Sequence, residues 1–289
     1  MSTDRPAVVV LASIAAIGLG AAGWLSRQPR ITAAGTPPAP QTSTLSNAVP
    51  PPPPIQQPWR SPLERRCQDG SSALRLQLLQ RLRQLRENRV TVAIHPTNYG
   101  YRYRRDAFGQ PLDPRPHLIV LHETVYGIGS AINTFVTPHP RDDDQVSYHA
   151  LIGQDGTVVQ VLDPEKRAFG AGNSAFNRSW VVTNPAVRGS VNNFALHVSL
   201  ETPLDGEDGD SGHSGYTTAQ YDGLAALLAD WMLRYRIPYQ NITTHAYVDL
   251  GGERADPRSF DWAALEVRLQ ALGLLCGTAP RGGFRSPLS

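Results

Sequence analysis

The chain has 289 residues and a formal charge of +2, with 27 Lys and Arg against 25 Asp and Glu. So small an excess excludes a dedicated nucleic-acid binder, which carries a strong basic surplus. The only two cysteines, Cys67 and Cys276, are too far apart in sequence for a Cys-x-x-Cys metal pair.

Ala7 to Leu25 carries no charge and is almost entirely apolar or small. That length just reaches across a hydrocarbon core as a helix. Arg5 before it suits export of the rest of the chain. The run Gly20-Ala21-Ala22-Gly23 would also serve as a cleavage region. Residues 1–28 therefore read as a membrane anchor or a signal peptide. Either way the remainder is expected outside the cytoplasm, in the periplasm or cell envelope. Residues 29–62 are rich in Pro, Thr, Ser and Gln, with five prolines in a row at Pro50 to Pro54. They read as a semi-rigid tether without a core of its own. Residues 63–277 form one domain of ordinary size, and 278–289 a flexible tail. In an exported protein Cys67 and Cys276 suggest a disulfide. Closing so long a loop would stabilise by about 5 kcal/mol in the chain-entropy picture. Two buried free thiols are the alternative.

Within the domain, the spacing of Leu74, Leu78, Leu82 and Leu85 predicts a helix over 71–88. Arg102, Arg104 and Arg105 read as a solvated strip. Leu118-Ile119-Val120-Leu121 is a buried central strand that ends in His122. Residues 148–152 and 157–162 are strands joined by Gly153-Gln154-Asp155-Gly156, a hairpin signal. Residues 194–201 alternate, with Phe194, Leu196, Val198 and Leu200 on the core face. Ala195, His197, Ser199 and Glu201 point the other way. The Gly- and Asp-rich stretch 205–215 reads as a mobile surface loop. Thr217 and Gln220 form a capping box for a helix that runs until Pro238. A last helix begins near Asp261 and ends at Gly273. Strands interleaved with helices imply an α/β fold, a mixed sheet covered by helices.

Of the eight histidines, His95, His117, His139 and His213 sit in loop-like sequence and are expected on the surface. His122 and His245 each close an apolar, β-branched run, and Asp256 follows eleven residues after His245. Two histidines and a carboxylate form a ligand set for catalytic zinc that leaves a fourth position for water. Spacing alone leaves open that His122 is a core histidine and that Arg254 and Asp256 are a surface ion pair. Glu123, next to His122, points to the opposite face of its strand and reads as structural.

A series of short segments gives these residues a context. In order they are Ile119-Val120-Leu121-His122-Glu123-Thr124, Val146-Ser147-Tyr148-His149, Asp155-Gly156-Thr157-Val158-Val159-Gln160 and Arg167-Ala168-Phe169-Gly170-Ala171-Gly172. Val198-Ser199-Leu200-Glu201, His245 and Arg254-Ala255-Asp256-Pro257 complete the series. Over about 116–272 the chain resembles the zinc amidases that cleave N-acetylmuramoyl-L-alanine. That family includes phage amidase lysozymes and peptidoglycan recognition proteins. The resemblance implies Zn2+ held by His122, His245 and Asp256. It also implies Glu201 as the acid that moves the proton, Arg254 as the cation that steadies the oxyanion, and Tyr148 beside the metal. Peptidoglycan or a muropeptide would be the partner, and no oligomer interface suggests itself, so a monomer is expected.

The chain departs from the pattern at three places. Phe169-Gly170 stands where many relatives have Trp-His, Thr244 where Gly is usual before His245, and Arg258 where Gly commonly follows Pro257. The competing reading is a non-catalytic peptidoglycan-binding module. A zinc peptidase would need a His-Glu-x-x-His helix, which the sequence lacks.

Overall fold

The structure is a computed structural model that describes residues 49–207 and 210–276. The anchor or signal segment 1–28, the tether up to residue 48 and the tail 278–289 lie outside the described residues. Among those described, no helix is long and apolar enough to cross a membrane.

Six strands form the main sheet: β1 (Val90–Thr91), β3 (Leu118–Glu123), β4 (Ala150–Ile152), β5 (Val158–Gln160), β7 (Ala195–Leu200) and β8 (Ile242–Thr244). Their spatial order is β1-β5-β4-β7-β3-β8. The β4/β5 hairpin is antiparallel, and β3, β4, β7 and β8 run parallel, so the sheet is mixed. A second, two-stranded antiparallel sheet pairs β2 (Tyr99–Tyr101) with β6 (Lys166–Ala168). Three helices pack on one face of the main sheet: α1 (Ser72–Glu87), α3 (Thr218–Tyr235) and α5 (Trp262–Ala271). Leu78 and Leu82 of α1, Leu224 and Leu228 of α3, and Leu265 and Leu269 of α5 meet Ile119, Leu121, Leu196, Val198 and Leu200 there. Each helix begins where the sequence predicts. Ser71 accepts from Leu74 N, Thr217 and Gln220 form the reciprocal capping box, and Asp261 accepts from Ala263 N and Ala264 N.

The alternation in residues 194–201 identifies one core face, and in the structure β7 is buried on both. Its second face, and that of β3, lies under the loop segment containing Phe176, Val181 and Val191 and beside α2 (Ile128–Val136). Parallel sheets are commonly covered on both faces, so His197 and Ser199 become interior groups.

Three other expectations give way. Arg102 is not a solvated residue: its guanidinium donates to the carbonyls of Pro164, Asn193 and Ala195 at 2.9–3.0 Å. A planar group with five donors can staple several chain segments in this way. The tether docks before residue 63. Gln56 donates to Ala175 O (2.8 Å), and the Trp59 ring lies 4.6 Å from that of Tyr247, so this stretch has aromatic area to bury after all. His213 and the loop around it are tied down rather than free, through Glu123. Cys67 and Cys276 are joined by a disulfide that links the two ends of the domain.

Candidate active site

Three chain segments converge at the C-terminal edge of β3 and β8. His122 is the fifth residue of β3 and is fully buried. His245 opens a one-turn helix, α4 (His245–Val248), capped by the Thr244 hydroxyl, which accepts from Tyr247 N. Asp256 returns to the site after a loop held by Asp249, whose carboxylate accepts from the backbone of Gly251, Glu253 and Arg254. Ala246 N donates to Asp256 O at 3.0 Å and fixes this return.

One donor atom each from His122, His245 and Asp256 lies within 4.8 Å of the others. His245 Nδ1 is 2.9 Å from Asp256 Oδ1. His122 Nδ1 is 3.3 Å from Asp256 Oδ2 but is not aligned for a hydrogen bond, and this buried nitrogen has no hydrogen-bond partner. A buried lone pair of that kind is costly unless something completes it. Burial, and then the neighbouring His245, push His122 down to about 4, against the pull of Asp256. Its imidazole is therefore neutral at pH 7, as a metal ligand must be. Burial pushes Asp256 up, but the two imidazoles outweigh it and hold the carboxyl below the usual carboxylate range. Two imidazoles and one carboxylate, with a buried donor nitrogen left unpartnered on His122, fit a zinc ion.

The other expected residues fall into two groups. The Tyr148 ring stacks on His122 with centroids 4.4 Å apart, and burial keeps its phenol protonated, well above the ordinary tyrosine value. Arg254 is exposed, and its charge acts on both His122 and Tyr148. Glu201 stands apart. The residue paired with His122 across the strands is Ser199, and Glu201 lies two residues further on, about 6–7 Å along the strand. Its two carboxylate oxygens accept from Ile128 N (2.9 Å) and Gln154 N (2.8 Å). The strand alternation puts Glu201 on the face of His122 but carries no register, and in this position its carboxylate anchors two loops.

Sequence reasoning leaves His197 undecided and passes over Ser199. His197 Nδ1 lies 2.9 Å from His122 Nε2, and Ser199 Oγ is buried beside His122 without a hydrogen-bond partner. Their shared parity with Glu201 is the available signal. Glu123 faces the helices, as its parity requires. Its carboxylate accepts from Arg258 N, from the Arg258 guanidinium and from Tyr216 Oη, and it meets His213 Nε2 at 3.2 Å.

Residues 112–259 match the N-acetylmuramoyl-L-alanine amidase family. The 1,6-anhydro-N-acetylmuramyl-L-alanine amidase AmpD of Citrobacter freundii is 36% identical over 121 residues, covering 41% of this chain and 54% of that protein. AmpD of Enterobacter cloacae is 34% identical over 176 residues, 55% of this chain and 84% of its own. A crystal structure of a selenomethionine AmpD derivative aligns with 63% of this chain and 94% of its own, at 26% identity and a TM-score of 0.46. With the family match spanning just over half its length and His122, His245 and Asp256 inside it, the chain belongs to the N-acetylmuramoyl-L-alanine amidase family.

Proposed function

We propose that this protein is a zinc-dependent amidase that hydrolyses the bond between N-acetylmuramic acid and L-alanine in peptidoglycan or its fragments. The observation that carries this reading is the buried His122, His245 and Asp256 set with its unpartnered His122 nitrogen. Zinc at that set would polarise the scissile carbonyl and activate water as the nucleophile. The remaining work falls to the chain itself. Neutral His122 and ionised Asp256 present lone pairs without first losing protons. The protonated Tyr148 phenol is a hydrogen-bond donor for charge that develops on the carbonyl oxygen. The Arg254 guanidinium, exposed at the mouth, supplies a positive field for the same charge.

The setting supports an envelope role. The apolar stretch 7–25 and the Pro-rich segment after it suit an exported domain held on a tether. The Cys67–Cys276 disulfide agrees, because such bonds persist in oxidising compartments. The named relatives make anhydro-muropeptides the first substrate to try.

The test is digestion of purified wall and of anhydro-muropeptides by the protein, with and without chelator. Release of free L-alanine amino ends that stops on chelation and returns with zinc is the expected result. Binding of wall material without release at any zinc loading would establish a recognition module instead.

A further inference from the structure

His122 offers two ring nitrogens, and the structure gives them different neighbours. Nδ1 faces Asp256 and His245, whereas Nε2 lies 2.9 Å from His197 Nδ1 in the interior. For Nδ1 to present a lone pair to a metal, the proton of neutral His122 must sit on Nε2. His197 Nδ1 must then accept it.

His197 is held for that task. Its backbone N–H donates to His149 Nδ1 (3.0 Å), its carbonyl accepts from His149 N (2.9 Å), and the two rings stack in parallel, 5.9 Å apart. Because His149 Nδ1 accepts from a backbone amide, its Nε2 is left to meet Lys166 O (3.2 Å) and the Arg102 guanidinium (3.3 Å). Space for the His197 ring comes from Gly170. A Cβ at that position would lie 2.4 Å from His197 Nδ1 and 2.5 Å from Cγ. Gly170 presents no side chain here, and an imidazole from β7 fills the space beside it.

We propose that His197 is the positioning residue of the zinc site: it fixes the tautomer and ring orientation of ligand His122 by accepting its Nε2 proton, in room that Gly170 provides. The inference rests on the zinc reading above. Partners of this kind on a ligand histidine alter metal affinity by about 10–100-fold when removed.

The experiment uses the full chain stripped of metal. Zinc affinity is read by competition with a chromophoric chelator, and ligand geometry by the visible spectrum of the cobalt-loaded protein. His197→Phe keeps a ring but removes the acceptor, and should weaken zinc binding about 10–100-fold with a changed cobalt spectrum. His197→Asn keeps an oxygen near the place of Nδ1 and should restore most of the affinity. Gly170→Ala leaves every polar group in place but displaces the His197 ring, and should behave like His197→Phe. Thermal unfolding of each metal-free variant checks that it is folded. Native affinity and an unchanged cobalt spectrum in folded Gly170→Ala and His197→Phe would overturn the assignment while leaving the amidase proposal intact. Failure of the unaltered chain to bind zinc would remove both.

Discussion

His122 and Glu123 are consecutive residues of one strand, both buried, and they end in opposite circumstances. Glu123 faces the helices and is saturated: the Arg258 backbone and guanidinium, Tyr216 and His213 all meet its carboxylate. His122 faces the other way, into a layer of groups left wanting. His122 Nδ1, His197 Nε2, Ser199 Oγ and Thr243 Oγ1 are all buried without hydrogen-bond partners. Strand register puts all four residues on the same face of the sheet. Burying a polar atom unpaired costs about 1–3 kcal/mol, so a cluster of such atoms marks a place that a ligand completes. A buried charge with every valence met marks a brace. The contrast separates site from scaffold across a single peptide bond.

The largest effect should come from the unsatisfied face. His122→Ala is expected to take bound zinc from one per chain to almost none, and amide hydrolysis with it, as read by metal analysis and release of L-alanine amino ends. Retention of stoichiometric zinc would break the contrast at its strongest point. On the satisfied face, Glu123→Ala removes the carboxylate that accepts from Arg258 N and Tyr216 Oη, and leaving such buried donors without an acceptor typically costs about 1–3 kcal/mol. Urea unfolding of the metal-free chain measures this. Glu123→Leu combined with Arg258→Met should recover only part of the loss: replacing a buried pair by apolar groups of similar volume is often neutral, but Tyr216 and His213 still lose their acceptor. If the double variant is as unstable as the single one, Glu123 does more than balance Arg258.

Sequence carries parity well and register poorly, and the two acids next to this strand edge show it. Period-2 alternation places Glu123 against the helices and Glu201 on the face of His122, as the structure has them. Nothing local says which residue of β7 lies beside His122, since that depends on long-range pairing with β3. The helices are legible because their caps are local: Ser71, Thr217 and Asp261 each bond within three residues. Arg102 and His213 look like surface residues because their partners, such as Ala195 O and Glu123, lie some ninety positions away. The convergence of His122, His245 and Asp256 needs the family resemblance, because spacing alone allows a core histidine and a surface ion pair.

The buried imidazoles should also make stability depend on pH. His149 is buried and neutral. Burial, and then the Arg102 guanidinium, hold it down to about 3. Its folded value thus lies below the unfolded value of 6.5. Between those limits the unfolded chain binds a proton that the folded chain refuses. The stability it contributes is complete above 6.5 and is lost as pH falls toward about 3. His122 and His197 are depressed in the same direction. The unfolding free energy of the metal-free protein should therefore decline steadily from pH 7 to pH 4. His149→Asn should flatten that decline by about one proton's share. An unchanged slope would mean that His149 is already charged in the folded chain.

The smallest effect is expected at Glu201, which lies on the face of His122 but behaves like a member of the satisfied class. Its two oxygens hold the first amide of α2 and the turn between β4 and β5. In Glu201→Gln one oxygen remains to accept and an amide nitrogen faces the other donor, so one of the two loop contacts is lost. A loss of about 0.5–1.5 kcal/mol in urea unfolding is expected, with zinc affinity unchanged and turnover within a few-fold of native. General acid–base groups contribute about 10²–10⁴-fold when they touch the reacting atoms. A loss of that size, with zinc still bound, would show that the carboxylate leaves its two amides during turnover. Glu201 would then have to swing across the width of the Ser199 position to reach the metal. Short of that, its position at the strand end makes it the anchor that keeps the loops after β3 and β4 in place.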